Sequence, residues 1–252
     1  LKSVPELQRG CVTPTGAPVQ VQLLGGDPDR LALAAQVAVQ LGARSIDLNF
    51  GCPAPTVNRH DGGATLLRFP ARIETIVASV RSALPPQIPV SAKLRLGWDD
   101  VSAVHENAER AVRGGAAWLT IHGRTKLQGY TPPAYWGPIG AVRRAVGVPV
   151  VANGEIWSVD DLKRCQDETG CQHFMVGRGV LADPTLASHC AQHLGLVRSS
   201  SEIFESPRSW RLWRPLLEEL VHTSRSLGES ERRTLSRVKQ WLSYANRRGN
   251  AP

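Results

Sequence analysis

VPVVANGEIWSVDDLKRCQDETGCQHFMVGRG, residues 148–179, holds a strand, a helix and a second strand in one unbroken stretch. The apolar, β-branched runs VPVVANG (148–154) and HFMVGRG (173–179) each end in glycine beside a polar residue, Asn153 and Arg178, and 158–169 between them carries a helical pattern. A strand, a crossover helix and another strand make the unit of a parallel sheet. The same alternation extends towards the N-terminus through VQVQLL (19–24), SIDLNF (45–50), PVSAKLRLG (89–97) and AAWLTIHG (116–123). Helix-like segments at 27–42, 71–84, 101–114 and 134–146 separate them, and another follows at 184–194. A repeat of about 25–30 residues reads as successive βα units. No G-x-G-x-x-G turn follows an early strand, so the usual mark of a doubly wound dinucleotide fold is missing.

Polar residues choose the architecture. Gln22, Asn49, Lys93, His122, Asn153 and Arg178 lie in or just beyond the C-terminal ends of six different predicted strands. A (β/α)8 barrel builds its active site at that end. Six strands do not close such a barrel. ANGEI and VGRG have the look of the phosphate-binding turns after strands seven and eight, so the expectation is an α/β fold, a TIM barrel lacking its first two βα units. The opening segment fits: it has no methionine and reads as loop, with Pro5, Gly10, Pro14, Gly16 and Pro18 before the first strand. The expected division is an incomplete barrel over 1–195 and a linker with a small C-terminal helical domain over 196–252. In the latter, helices are expected at 208–227 and 230–247, with Gly228 ending the first and Ser230 capping the second. Trp210, Trp213, Leu216, Leu217, Leu220 and Val221 form an apolar stripe at helical spacing.

Composition bounds the function. At 252 residues and 42% hydrophobic content the chain can bury one large core. No run approaches a membrane span and LKSVPELQRG has no apolar signal core, so neither a membrane location nor secretion is expected. The five cysteines (Cys11, Cys52, Cys165, Cys171, Cys190) never take C-x-x-C spacing, which argues for reduced thiols, against a zinc or other metal site, and for the cytoplasm. The net charge is +8. Between Pro207 and Asn250, ten Arg or Lys face four Glu, so this tail alone supplies +6. A basic segment of that kind suits a polyanion, most often nucleic acid.

DLNFGCPAPTVN (47–58) ends a strand with a thiol between glycine and proline. Alone, such a cysteine is more often a small buried hydrophobe than a reagent. Its context changes that reading. LNFGCPAPTVN, GGATLLR, AKLRLGW, HGRTKLQGY, ANGEIW, VGRG and RVKQWLSY, in this order and spacing from about Gln20 to Tyr244, resemble the tRNA-dihydrouridine synthases, and in particular the bacterial dihydrouridine synthase C branch. The resemblance implies an FMN-containing TIM barrel with a C-terminal helical domain. It implies NADPH-dependent reduction of a tRNA uridine to 5,6-dihydrouridine, with position 16 of the D-loop as the expected target.

The implied roles follow the motifs. Hydride from the reduced flavin goes to uracil C6, and C5 then needs a proton from the opposite face. A thiol is a weak acid that keeps its proton at neutral pH, and by resemblance Cys52 is the donor. Lys93 resembles the family lysine beside the flavin pyrimidine ring, where a cation stabilises the reduced form. His122 joins it at the ring or the phosphate network, Gln22 hydrogen-bonds the isoalloxazine, and Asn49 meets flavin or uracil. Asn153-Gly154-Glu155 and Gly177-Arg178 resemble the two FMN phosphate loops. Arg232, Arg233, Arg237, Lys239, Arg247 and Arg248 are expected to hold the tRNA backbone, and the base must be turned out of the folded RNA to reach the barrel mouth.

Two departures stand against the pattern. The family's apolar-Pro-Met-x-Gly loop over the flavin is absent, since Met175 is the only methionine, and Phe69 in LLRFP stands where the family commonly has Asp. Two other readings therefore remain: an FMN barrel oxidoreductase acting on a small molecule, and a non-catalytic RNA-binding remnant. A monomer is expected of the full-length protein.

Overall fold

A computed structural model describes residues 5–197 and 206–251. Six strands, β1 (Val21–Leu23), β2 (Ile46–Asn49), β3 (Val90–Arg95), β4 (Leu119–His122), β5 (Val150–Asn153) and β6 (His173–Met175), form one sheet in chain order. Every pairing is parallel. The β1 and β6 strands are the sheet's edges among the described residues. This is the strand arrangement of a TIM-barrel-like α/β fold, followed by a helical C-terminal region.

Register shows how the sheet divides its two faces. Ile46 lies beside Val90, Leu48 beside Ala92, Ala92 beside Leu119, Leu94 beside Ile121 and Leu119 beside Val150. All of these except Val150 are no more than 1% exposed, and Val150 is also buried. Because side chains alternate along a strand, the positions between them share the opposite face. That face carries Gln22, Asp47, Asn49, Ser91, Lys93, Arg95, Thr120, His122 and Asn153, joined laterally as Gln22–Asp47–Ser91, as Asn49–Lys93–Thr120 and as Arg95–His122–Asn153. Period two alone therefore gathers the polar residues of five strands on one surface.

Helices cover the apolar face. After a short α1 (Pro5–Gln8), α2 (Pro28–Gln40) starts with Pro28 in its first turn and an Asp27 side chain accepting from the Arg30 amide at 2.9 Å. A five-residue α3 (Pro55–Arg59) and a 3-10 segment (Gly63–Arg68) lead to α4 (Pro70–Ser82). In α4, Ile73, Ile76, Val77 and Val80 are wholly buried at i, i+3, i+4 and i+7. Each such side chain contributes about 1.5–3 kcal/mol. The α5 (Val104–Arg113), α6 (Gly137–Ala145) and α7 (Val159–Thr169) helices follow β3, β4 and β5 in turn.

Contacts group the residues into two compact units, the first reaching Gly154 and including Cys165–Met175, the second comprising Glu155–Arg164 and the chain from Val176 on. All six strands belong to the first. The second holds α8 (Arg178–Ala182), α9 (Leu186–His193), α10 (Trp210–Ser226) and α11 (Glu231–Arg247). Gly228 follows α10 with a φ of +72°, and Ser230 caps α11 by accepting from the Arg233 amide, as expected.

Three expectations need correction. The opening segment is not all loop, since Pro5–Gln8 is helical and Leu7 is buried. The strand expected over 173–179 ends at Met175, and Arg178 is the first residue of α8. Trp210 is 57% exposed and leaves the apolar stripe, whereas Trp213 is fully buried, its Nε1 donating to the Pro207 carbonyl at 2.6 Å and its ring 5.8 Å from that of Trp241. The expected linker falls partly on residues 198–205, outside the described residues.

Candidate active site

The polar face of the sheet ends in a connected network. Asn49 Nδ2 donates to Gln22 Oε1 at 2.8 Å, and Gln22 Nε2 donates to Asp47 Oδ2 at 2.6 Å. Ser91 Oγ donates to the other Asp47 oxygen at 2.6 Å. Burial pushes the Asp47 carboxyl above its ordinary range, with Ser91, Gln22 and Lys93 pulling the other way. Each carboxamide nitrogen of Gln22 and Asn49 keeps a second hydrogen that these bonds do not use.

Lys93 occupies the middle of this face. Its Nζ donates to Asn153 Oδ1 at 3.4 Å, and Asn153 Nδ2 donates to the Met175 carbonyl at 2.7 Å, so β3, β5 and β6 are tied together. Burial holds the Lys93 ammonium down to about 8, the nearby Arg95 cation adds to the shift, and Asp47 opposes it. Gly154 takes φ +119°, a conformation that favours glycine, and a Cβ there would meet the Ala134 Cβ at 3.2 Å. Trp136 Nε1 fixes the Gly154 carbonyl at 2.9 Å.

Cys52 follows β2 directly, on a loop bound at several points. Gly51 N donates to Asn49 Oδ1 at 2.9 Å, and the Ala64 amide donates to the Cys52 carbonyl at 3.0 Å. Asn58 reaches across the loop, donating to the Ala54 carbonyl at 2.9 Å and accepting from Thr65 N at 3.0 Å. Gly63, at φ +60°, closes the turn, and a Cβ there would meet the Cys52 carbonyl at 2.8 Å. None of the five thiols is in a disulfide, and of them only Cys52 is partly exposed. The protein thus places one accessible thiol beside the polar end of the sheet.

Sequence reasoning missed Arg95. It is 3% exposed, and a buried cation must be saturated with acceptors. Its Nε donates to the Gly51 carbonyl at 2.8 Å, and its Nη1 donates to the Thr125 and Gly129 carbonyls at 3.0 and 2.9 Å. It thereby holds the residue before Cys52 and the loop after β4, and its guanidinium lies 5.3 Å from the centre of the Tyr130 ring. The available signal was its place on β3, two residues after Lys93 and therefore on the same face. Asp47 was missed in the same way.

In the second unit, Glu155 takes φ +54° and its Oε1 accepts from Arg178 Nη2 at 3.2 Å. Trp157 Nε1 donates to Glu155 Oε2 at 3.0 Å, and Arg178 lies over the Trp157 ring at 5.1 Å. Gly177 immediately precedes α8. Of the basic tail, Arg232, Arg233, Arg237, Lys239, Arg247 and Arg248 are all exposed on or at the end of α11, while Thr234 and Ala245 are buried on its other side. Arg237 pairs with Glu229 at 2.7 Å, and Arg248 stacks 4.0 Å from the Trp157 ring centre.

Comparison with known proteins gives the family. The family profile described as Dihydrouridine synthase (Dus) matches residues 3–246. The chain belongs to the dihydrouridine synthase family. A tRNA-dihydrouridine(16) synthase of Shewanella oneidensis is 46% identical over 248 residues, covering 98% of this chain and 75% of that protein. Proteins of the same description from Pseudomonas putida and Cupriavidus necator are each 45% identical over 246 residues, 98% of this chain and 74% of theirs. A dihydrouridine synthase is a flavin-dependent oxidoreductase, and the polar sheet face is where its chemistry has its candidate residues.

Proposed function

We propose that the protein reduces a uridine of tRNA, position 16 of the D-loop, to 5,6-dihydrouridine, with FMN as cofactor and NADPH as reductant. The target position follows the relatives' descriptions and the resemblance to the dihydrouridine synthase C branch. The observation that carries the reading is the partly exposed Cys52, its loop held by Arg95, Asn49 and Asn58, on a chain that also presents a row of N–H donors and one half-buried ammonium.

The donor set fits a flavin. The pyrimidine edge of an isoalloxazine alternates carbonyl oxygens with N–H groups and gains negative charge on reduction. Gln22 and Asn49 offer carboxamides to that edge, and Lys93 offers a half-buried cation whose charge its surroundings disfavour. His122, Asn153 and Gly154 would border it. Bound FMN supplies the hydride that uracil C6 takes.

The chain's own residues do the rest. Cys52 Sγ–H gives its proton to uracil C5, so the thiol becomes a thiolate as the C5–H bond forms, and solvent reprotonates it. Arg95 acts through position: by gripping the Gly51 carbonyl it fixes where the thiol points. Exposed cations of α11 hold the RNA backbone without choosing the base.

Cys52→Ala in a flavin-loaded enzyme is expected to keep flavin content and its reduction by NADPH. It should lower the single-turnover rate of uridine reduction by about 10²–10⁴, the usual contribution of a positioned acid. Undiminished reduction would remove Cys52 from the proton step.

A further inference from the structure

A second group of residues near the reactive loop is not used by this chemistry. Arg68 closes the 3-10 segment whose Ala64 amide binds the Cys52 carbonyl. Its guanidinium lies 5.8 Å from the ring centre of Phe69 and 5.5 Å from that of Trp98. Trp98 stands just past β3, and Lys126, from the loop after β4, places Nζ 4.3 Å from the same Trp98 ring. Backbone bonds fix that approach: Lys126 N donates to the Gly97 carbonyl at 2.9 Å and Leu127 N to the Trp98 carbonyl at 3.0 Å.

We propose that Arg68, Phe69, Trp98 and Lys126 form a ledge that docks the ribose–phosphate strand of tRNA beside the nucleotide presented to Cys52. The inference rests on the function proposed above and adds to it a surface on the sheet-bearing unit, distinct from the basic tail.

Charge argues for a polyanion. Several arginines here have a carboxylate partner, as Arg72 has Asp61 at 2.7 Å and Arg110 has Glu74 at 3.0 Å. Among the described residues Arg68 and Lys126 have none within ion-pair distance; both are held by aromatic faces instead. The nearby Asp100 carboxylate is turned back onto the Ser102 amide at 2.8 Å. A cation over an aromatic ring keeps its charge while losing side-chain freedom, so it meets a phosphate at a smaller entropic cost than a free lysine does. Phe69 is 42% exposed, which leaves ring surface for a ribose or an unstacked base. Position argues for the strand next to the target. Arg68 lies on the segment that locks Cys52, and Lys126 lies on the loop whose Thr125 carbonyl is gripped by Arg95. A uridine turned out towards Cys52 brings its own flanking phosphates to this end of the sheet.

The test compares wild type with Arg68→Gln, Lys126→Gln and the double variant, using a tRNA transcript that lacks dihydrouridine. Affinity is read across a salt series, and kcat/KM for uridine reduction is read alongside flavin content and Tm. The double variant is expected to bind about tenfold more weakly near 0.1 M salt and to flatten the log–log salt slope by about one to two units. Arg68→Lys with Lys126→Arg should restore both, because charge and ring contact survive. If wild type reduces the transcript and the Gln variants keep its affinity and slope, the ledge is wrong and the enzyme reading stands. If wild type neither binds nor reduces the transcript, the enzyme reading fails and the ledge fails with it. Should the double variant not fold, the single variants give the same decision from their slopes.

Discussion

Lys93 is pulled in opposite directions by its surroundings. Burial and the Arg95 cation disfavour its charge, Asp47 favours it, and the balance leaves it at about 8. An unfolded lysine titrates near 10.4. Between these values the unfolded chain binds the extra proton, so stability rises with pH from about 8 to about 10.5; below pH 8 both states are protonated and the folded one bears the full desolvation cost. Lys93→Met removes that dependence. The wild type is therefore expected to gain stability relative to Lys93→Met as pH rises through this window, read as the difference in Tm at several pH values, and a constant difference would contradict the buried ammonium. The sequence made Lys93 visible because it is a cation within a strand run, in a motif. Arg95 was not visible, although it is on the same strand, because three of its acceptors are carbonyls on other segments, at Gly51, Thr125 and Gly129. A side chain whose partners are backbone atoms far along the chain leaves no pattern in residue types.

Elements follow the same logic. Strand alternation and helical spacing located every strand and every helix of eight residues or more, because each buries a face with its own period. The short pieces were missed: Pro55–Arg59 and Gly63–Arg68 are too brief to show a period, and they exist to shape the Cys52 loop through Asn58 and Gly63. One element boundary is readable in both sequence and structure. Phe69 is the N-cap of α4 and makes no side-chain cap bond, although Pro70 starts the helix well. Phe69→Asp supplies an acceptor for the first-turn amides and a negative charge at the positive end of the helix, so it is expected to stabilise the protein by about 1 kcal/mol in denaturant unfolding. The same change sets a carboxylate between Arg68 and Arg72, whose guanidinia both lie 5.8 Å from the present ring, and it should weaken tRNA binding. A residue that costs the helix a cap yet serves RNA shows these two effects together. A gain in stability with unchanged RNA affinity would leave the ring with no role at the ledge.

For the whole molecule, charge decides how RNA is held. The excess of +8 is concentrated in the tail, and the structure sorts its members. On α11, Arg232, Arg233, Lys239 and Arg247 are exposed, opposite the buried Thr234 and Ala245. Arg237 is already paired with Glu229 at 2.7 Å, so much of its charge is compensated within the protein. Counterion release depends on the phosphates that a protein neutralises, and each contact adds somewhat less than one unit to the slope of log affinity against log salt. Changing Arg232, Arg233, Lys239 and Arg247 together to Gln is therefore expected to flatten that slope by about three units and to weaken binding most at low salt. Arg237→Gln alone should change it by clearly less than one. These positions lie on the polar side of a helix whose opposite side is packed, so Tm and flavin content should stay close to wild type. The measurement is a filter-binding salt series on tRNA for the three proteins side by side. An unchanged slope in the fourfold variant would reduce the basic face to a solubility feature. An equal loss from Arg237→Gln alone would mean that the Glu229 pair opens when RNA arrives.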